Sequence, residues 1–291
     1  MRRQAAPGAT GDPLNDLIIN AAVTGMVPTR EQNPAVPITP KQVVADARRC
    51  FEAGASVIHV HARAGNGTPD YRKEIYAEII GGIHAACPGM LISGSTSGRV
   101  FHELSQRSEV LDPGPGCRPD FGSLTLGSLN FPKQASVNAP DMIHSLAGAM
   151  NELGIVPELE IFDMGMADYA HFLLRKQILR LPLYGNILLG SLGTLSATPF
   201  NLASIVRALP DKMTWSATGI GRYQFFVQSL AVTMGGHVRV GLEDNLWYDA
   251  ERTRPATNAG LIERIVKLAR AAGREIADPA EARRIIGMHE D

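Results

Sequence analysis

Apolar and polar positions along this chain predict short buried strands separated by amphipathic helices. Leu17–Thr24, Ser56–Arg63, Met90–Ser97, Phe121–Gly127, Pro157–Met164, Asn186–Gly190, Met213–Thr218 and His237–Glu243 are strand-length runs with a strong apolar content. Near-continuous apolar runs of that length suit strands covered on both faces. Between them, helical spacing marks a segment opening at Thr39-Pro40 and ending near Gly54, then Tyr71–Ala86, a short piece around His102–Val110, Asp141–Leu153, Ala167–Leu179, Pro199–Leu209, Tyr223–Met234 and Asn258–Ala272. Thr39, Asp141 and Thr198 supply N-cap chemistry, while Gly54, Gly154 and Gly235-Gly236 close helices. Asp112–Pro119 reads as a turn-rich insert.

About eight β–α units in succession, with no linker between them, demand a parallel sheet covered by helices. A length of 291 residues suits one (β/α)8 TIM barrel, an α/β fold that typically takes about 250. The predicted organisation is a flexible leader over residues 1–16 and a single catalytic barrel over 17–291, with a short extra helix after Pro279. Thr24, His59, His61, Ser95–Ser97, Thr125, Asp163, Ser191, Thr218, Glu243 and Asp244 all fall at the C-terminal ends of predicted strands. In this architecture that end is the catalytic face.

Composition narrows the partners. A net charge of −1, with no basic stretch beyond Arg2-Arg3 and Arg283-Arg284, recruits neither nucleic acid nor an anionic membrane. No apolar run approaches the ~20 residues that span a bilayer. The leader lacks the apolar centre of a secretory signal. Cys50, Cys87 and Cys117 are widely spaced and form no C-x-x-C pair, which fits a reducing, cytoplasmic setting.

The most informative chemistry is Val57-Ile58-His59-Val60-His61. Side chains two residues apart leave one face of a strand, so both imidazoles reach toward one point and suit a divalent metal, most often zinc. The rest of the candidate centre is in Arg239-Val240-Gly241-Leu242-Glu243-Asp244-Asn245. Alternation places Arg239, Gly241 and Glu243 on one face, where buried charge must be paired or metal-bound. Glu243 is therefore the third expected ligand, Asp244 the expected general base and Arg239 its catalytic partner. A structural ion pair of Arg239 with either acid is the plain alternative. Ser93-Gly94-Ser95-Thr96-Ser97-Gly98-Arg99 offers donors for a substrate carboxylate, although such runs are often simple loops. Gly190-Ser191-Leu192-Gly193-Thr194 and Gly219-Ile220-Gly221-Arg222 are weaker candidates for a phosphate or pantetheine arm. His84, His102, His144, His171 and His289 read as solvated.

With His-Val-His-Ala-Arg on the second strand and Arg-Val-Gly-Leu-Glu-Asp-Asn on the last, the chain resembles the β-keto acid cleavage enzymes, whose named member is 3-keto-5-aminohexanoate cleavage enzyme. The likeness extends from about Leu17 to Ala272 and takes in Asn33-Pro34, Pro37-Ile38-Thr39-Pro40, Gly127-Ser128-Leu129-Asn130-Phe131 and the stretch from Glu158 to Gly165. It implies a zinc-dependent barrel that converts a β-keto acid and acetyl-CoA to acetoacetate and a new acyl-CoA. It also implies His59, His61 and Glu243 as Zn2+ ligands, Asp244 as base, Arg239 as its partner, and a homotetramer. Ser95 and Gly98 then match substrate-binding positions, with Thr125 as the strand-four hydroxyl. Where the aminohexanoate enzyme carries a glutamate facing the substrate amine, this chain has Val27, so the expected keto acid has a neutral or apolar tail rather than an ammonium. A zinc hydrolase of the amidohydrolase type also uses His-x-His. It would need further histidines where this chain has Asp163-Met164-Gly165 and Gly190-Ser191-Leu192.

Overall fold

The computed structural model describes residues 15–288. Met1–Leu14 of the expected leader and His289 therefore lie outside the described residues. Eight parallel strands close into a barrel in the order β1 (Ile19–Ala22), β2 (Val57–Val60), β3 (Leu91–Gly94), β4 (Phe121–Thr125), β7 (Val156–Ile161), β8 (Leu183–Leu189), β9 (Met213–Gly219) and β10 (His237–Val240), which pairs back onto β1. Closure rests on Asn20 lying opposite both Arg239 and Val57. The expected single-domain (β/α)8 barrel is the observed fold.

The outer ring consists of α1 (Pro40–Ala53), α2 (Lys73–Ala86), α4 (Pro140–Leu153), α5 (Met164–Arg175), α6 (Pro199–Ala208), α7 (Gln224–Thr233) and α8 (Asn258–Ala271), with a short α3 (Leu104–Arg107) after β3. A final α9 (Pro279–Ile286) packs across the far end, where Ala282 and Ile286 meet Ile18, Val57, Leu91 and Phe121. Thr39 caps α1 in a capping box with Gln42, and Thr198 caps α6. No helix among the described residues is long and apolar enough to cross a membrane.

Three local readings are corrected. Asp141 does not cap α4: Ala139 holds the N-cap and Pro140 opens the helix, which leaves Asp141 in the first turn where the helix dipole favours an acid. Strand β8 begins at Leu183 rather than Asn186. Tyr184, ahead of the expected strand, is wholly buried in the barrel and accepts a hydrogen bond from Asn20. A small hairpin of β5 (Leu129–Asn130) and β6 (Ala135–Ser136) also rises from the β4 loop. Two-residue strands are too short to show a period in sequence.

Candidate active site

The mouth of the barrel opens into a cavity of about 730 Å³ lined by His61, Ser95, Thr125, Glu160, Arg239, Glu243 and Asp244, among others. His59 and His61 leave the end of β2 on the same side. Their Nε2 atoms lie 3.2 Å apart, and His61 Nε2 lies 3.2 Å from Glu243 Oε1. Glu243 Oε2 is 3.8 Å from His59 Nε2 and, although buried, has no hydrogen-bond partner among the described residues.

The alternation argument for Glu243 does not survive in detail. Strand β10 ends at Val240, and the chain turns at Gly241, whose φ of 157° and close approach to the Ala22 carbonyl both exclude a side chain. Glu243 reaches the histidines through that turn. Gly25, at φ 65°, makes room for it: a Cβ there would stand 2.6 Å from Glu243 Cγ. Gly25 also accepts a hydrogen bond on its carbonyl from Arg63 Nε, so this buried arginine pins the first loop against the centre.

Arg239 is 1 % exposed and binds both acids, from Nε to Asp244 Oδ2 at 2.9 Å and from a terminal nitrogen to Glu243 Oε1 at 2.7 Å. Its other terminal nitrogen faces Glu160 Oε1 at 3.5 Å and has no hydrogen bond. The structural ion pair and the candidate catalytic set are thus one object. Burial opposes ionisation of Glu243, but Arg239 and the histidines outweigh it and hold the carboxyl well below the usual range. For Asp244 burial wins, aided by the charge on Glu243, and its pKa is raised. A raised carboxylate pKa brings a base closer to working pH.

Sequence reasoning missed a second tier. Glu158, wholly buried on β7, accepts hydrogen bonds from Asn20 (2.6 Å), Asn186 (2.7 Å) and Ser93, and its Oε2 is 3.0 Å from His59 Nδ1. These partners, with His59 nearby, keep it ionised with a pKa of about 2 despite burial. A carboxylate behind Nδ1 leaves the His59 Nε2 lone pair free to face a cation. Glu160, two residues on, accepts from Thr125 Oγ1 at 2.6 Å and faces the cavity. Two glutamates spaced i, i+2 in an apolar strand carry the same signal as the two histidines, and the sequence displayed it.

The donor set fits a tetrahedral divalent ion. Bonds of about 2.05 Å imply edges of about 3.3 Å between ligand atoms; two of the observed separations are 3.2 Å and the third, His59 Nε2 to Glu243 Oε2, is 3.8 Å. His59, His61 and Glu243 are a group of acidic and imidazole side chains able to share one ion, all their ligand atoms lying within 4.8 Å.

The remaining expected residues divide. Ser95, Thr125 and Val27 line the cavity; Val27 is 49 % exposed. Gly98 is outside that lining and packs against the Val137 carbonyl and Arg107, a contact that leaves no room for a Cβ. Asp163 caps α5 by accepting from Met166 N. Of the histidines read as solvated, His171 lies 3.0 Å from the Ala208 carbonyl and His144 meets Tyr169, so neither simply faces water.

Residues 16–288 match the model of the beta-keto acid cleavage enzyme family. The chain is 37 % identical over 276 residues to a 3-keto-5-aminohexanoate cleavage enzyme of Fusobacterium nucleatum, covering 94 % of this chain and 99 % of that protein. It is 34 % identical over 275 residues to a 3-oxoadipate:acetyl-CoA acetyltransferase of Cupriavidus necator, covering 93 % and 94 %. Among solved structures, a ternary complex of ObcA with a C4-CoA adduct and oxalate superposes with a TM-score of 0.76 at 21 % identity, over 87 % of this chain and 68 % of that one, a likeness of fold. The barrel and its match over nearly the whole described chain place this protein in the β-keto acid cleavage enzyme family.

Proposed function

We propose that the protein converts a β-keto acid and acetyl-CoA to acetoacetate and a new acyl-CoA, with zinc held by His59, His61 and Glu243. The observation that carries the reading is the joining of that ligand triangle to a base, Asp244, through a single buried arginine. A bound divalent ion supplies Lewis acidity, which makes the C–H beside a carbonyl more acidic. Asp244 removes the C2 proton of the keto acid, and Arg239 stabilises the negative charge that develops. The C2 carbanion attacks the acetyl carbonyl and CoA leaves as thiolate. The thiolate adds to the original keto carbon, and the C2–C3 bond breaks to give the new acyl-CoA. Asp244 returns its proton to C2, which completes acetoacetate.

Ser95 and Thr125 line the same cavity, which supports substrate-binding roles for them. Val27, in the first loop, offers no carboxylate to a substrate ammonium, so we assign a tail other than a primary amine. Relatives whose names specify an aminohexanoate and an oxoadipate suggest that the tail is where family members differ. The hydrolase alternative is not favoured, because Asp163 is a helix cap and Ser191 stands where a further histidine ligand would be needed. Free Cys50, Cys87 and Cys117 support a reducing cytoplasmic location, and a homotetramer is the assembly we assign on the resemblance alone.

The test is acetoacetate formation by the zinc-loaded protein with and without acetyl-CoA. Strict dependence on acetyl-CoA supports the reading, and keto acid breakdown in its absence refutes it. A strong preference for 5-amino-3-oxohexanoate over 3-oxohexanoate would remove the assignment made to Val27.

A further inference from the structure

The cations around the cavity fall into separate classes. Arg239 is ion-paired with Glu243 and Asp244 and faces Glu160, and Lys133, Arg222 and Arg252 are exposed at the rim. Arg99 belongs to neither group. It lies on the loop after β3, half-buried, with its guanidinium carbon 3.6 Å from the centre of the Phe131 ring. Its Nε is buried without a hydrogen-bond acceptor, and no carboxylate forms an ion pair with it among the described residues. Burial pulls its pKa down, opposed only by the more remote charges of Glu243, Glu160 and Asp244.

A guanidinium held over an aromatic ring is restrained in place for a planar anion, and a bound carboxylate would offset the desolvation it now bears. Rim cations suit the phosphates of an acyl carrier, which remain near solvent. The interior cation suits a small acid. Head-group placement is already fixed, because C2 must lie beside Asp244, whereas Val27 and Arg99 sit on the loops either side of β2 and bound the same cavity.

We propose that Arg99 receives a second carboxylate, at the far end of the keto acid, so that the substrates are 3-oxo dicarboxylic acids. This rests on the reading above, since it takes C2 to be held at Asp244. It replaces the neutral tail expected from Val27 alone: the first loop brings Met26, Val27 and Pro28 but no carboxylate to the cavity, and the third loop adds a cation.

The experiment compares six-carbon acids that differ only in the tail, 3-oxoadipate and 3-oxohexanoate, in zinc-loaded wild type, Arg99→Met and Arg99→Lys. Losing a charge-assisted contact costs on the order of 10- to 100-fold. Arg99→Met should lower kcat/KM for 3-oxoadipate by that much more than for 3-oxohexanoate, through KM, and Arg99→Lys should restore part of it. Equal losses for both acids would assign Arg99 to the shared C1 carboxylate, and a raised KM for acetyl-CoA would assign it to a CoA phosphate; either overturns the proposal. Wild-type turnover of 3-oxohexanoate alone sinks the inference and leaves the broader reading intact. If neither acid turns over, the broader reading fails, and calorimetric binding of the two acids to wild type and Arg99→Met still decides the role of Arg99.

Discussion

Two glutamates reach the interior of this barrel and are treated in opposite ways. Glu158 is wholly buried, and both of its oxygens are engaged by Asn20, Asn186, Ser93 and His59. Glu243, nearer the mouth, keeps one buried oxygen with no partner, beside an Arg239 nitrogen and a His61 nitrogen that are also unpartnered. Buried polar groups in folded proteins are normally satisfied. In the deeper tier both oxygens of Glu158 are satisfied, although Asn20 Oδ1 is not, whereas in the upper tier Glu243 itself presents an oxygen and lies within reach of two imidazoles, a donor set that suits a cation. The contrast identifies the functional layer more sharply than charge, which the two glutamates share.

The largest effect should separate base from ligand within the upper tier. Asp244→Asn should retain zinc and lose kcat by roughly 10²- to 10⁴-fold, the range for a general base. Metal content measured beside acetoacetate formation checks both halves, and normal turnover would refute the assignment of the base. The deeper tier should act only through His59. Glu158→Gln should weaken zinc affinity by about 10- to 100-fold, as loss of an outer-shell carboxylate does, read by competition with a coloured chelator. An unchanged affinity would mean that Glu158 serves folding alone.

Much of this arrangement was legible beforehand. Strand and helix alternation gave the barrel because each unit repeats the same apolar signal over 4–8 residues. His59 and His61 were visible because an i, i+2 pair of imidazoles in an apolar strand is rare and local. Glu243 was found with a partly wrong reason, since the turn at Gly241 interrupts the alternation that seemed to carry it. The i, i+2 spacing of Glu158 and Glu160 is as local a signal as that of the histidines, but the separate roles of these two acids and of Arg99 depend on partners distant in sequence. Glu158 gains its role from residues 20, 59, 93 and 186, and Arg99 from a ring on the unforeseen hairpin loop.

Smaller effects test the edges of the comparison. Val27→Glu should raise turnover of 5-amino-3-oxohexanoate relative to 3-oxohexanoate by about tenfold, the scale of one charge-assisted contact. Unaltered selectivity would detach the first loop from tail recognition. At the opposite end of the barrel, His237 accepts a hydrogen bond from Ile18 N, and burial together with Arg274 lowers its pKa to about 3. An unfolded histidine protonates near 6.5. Below that pH the unfolded chain therefore takes up a proton that the folded one refuses, and stability falls as pH drops from about 6.5 toward 3. His237→Asn, whose oxygen can accept the same bond, should flatten that slope in thermal unfolding measured at pH 7 and pH 5. A slope identical to wild type would show that His237 does not contribute to it.

Anomalous scattering at the zinc edge, from crystals of the zinc-loaded protein, tests the central claim most directly. One strong peak about 2 Å from His59 Nε2, His61 Nε2 and a Glu243 oxygen is the expected result. A peak elsewhere, or Glu243 turned away from the two imidazoles with no ion between them, would contradict it.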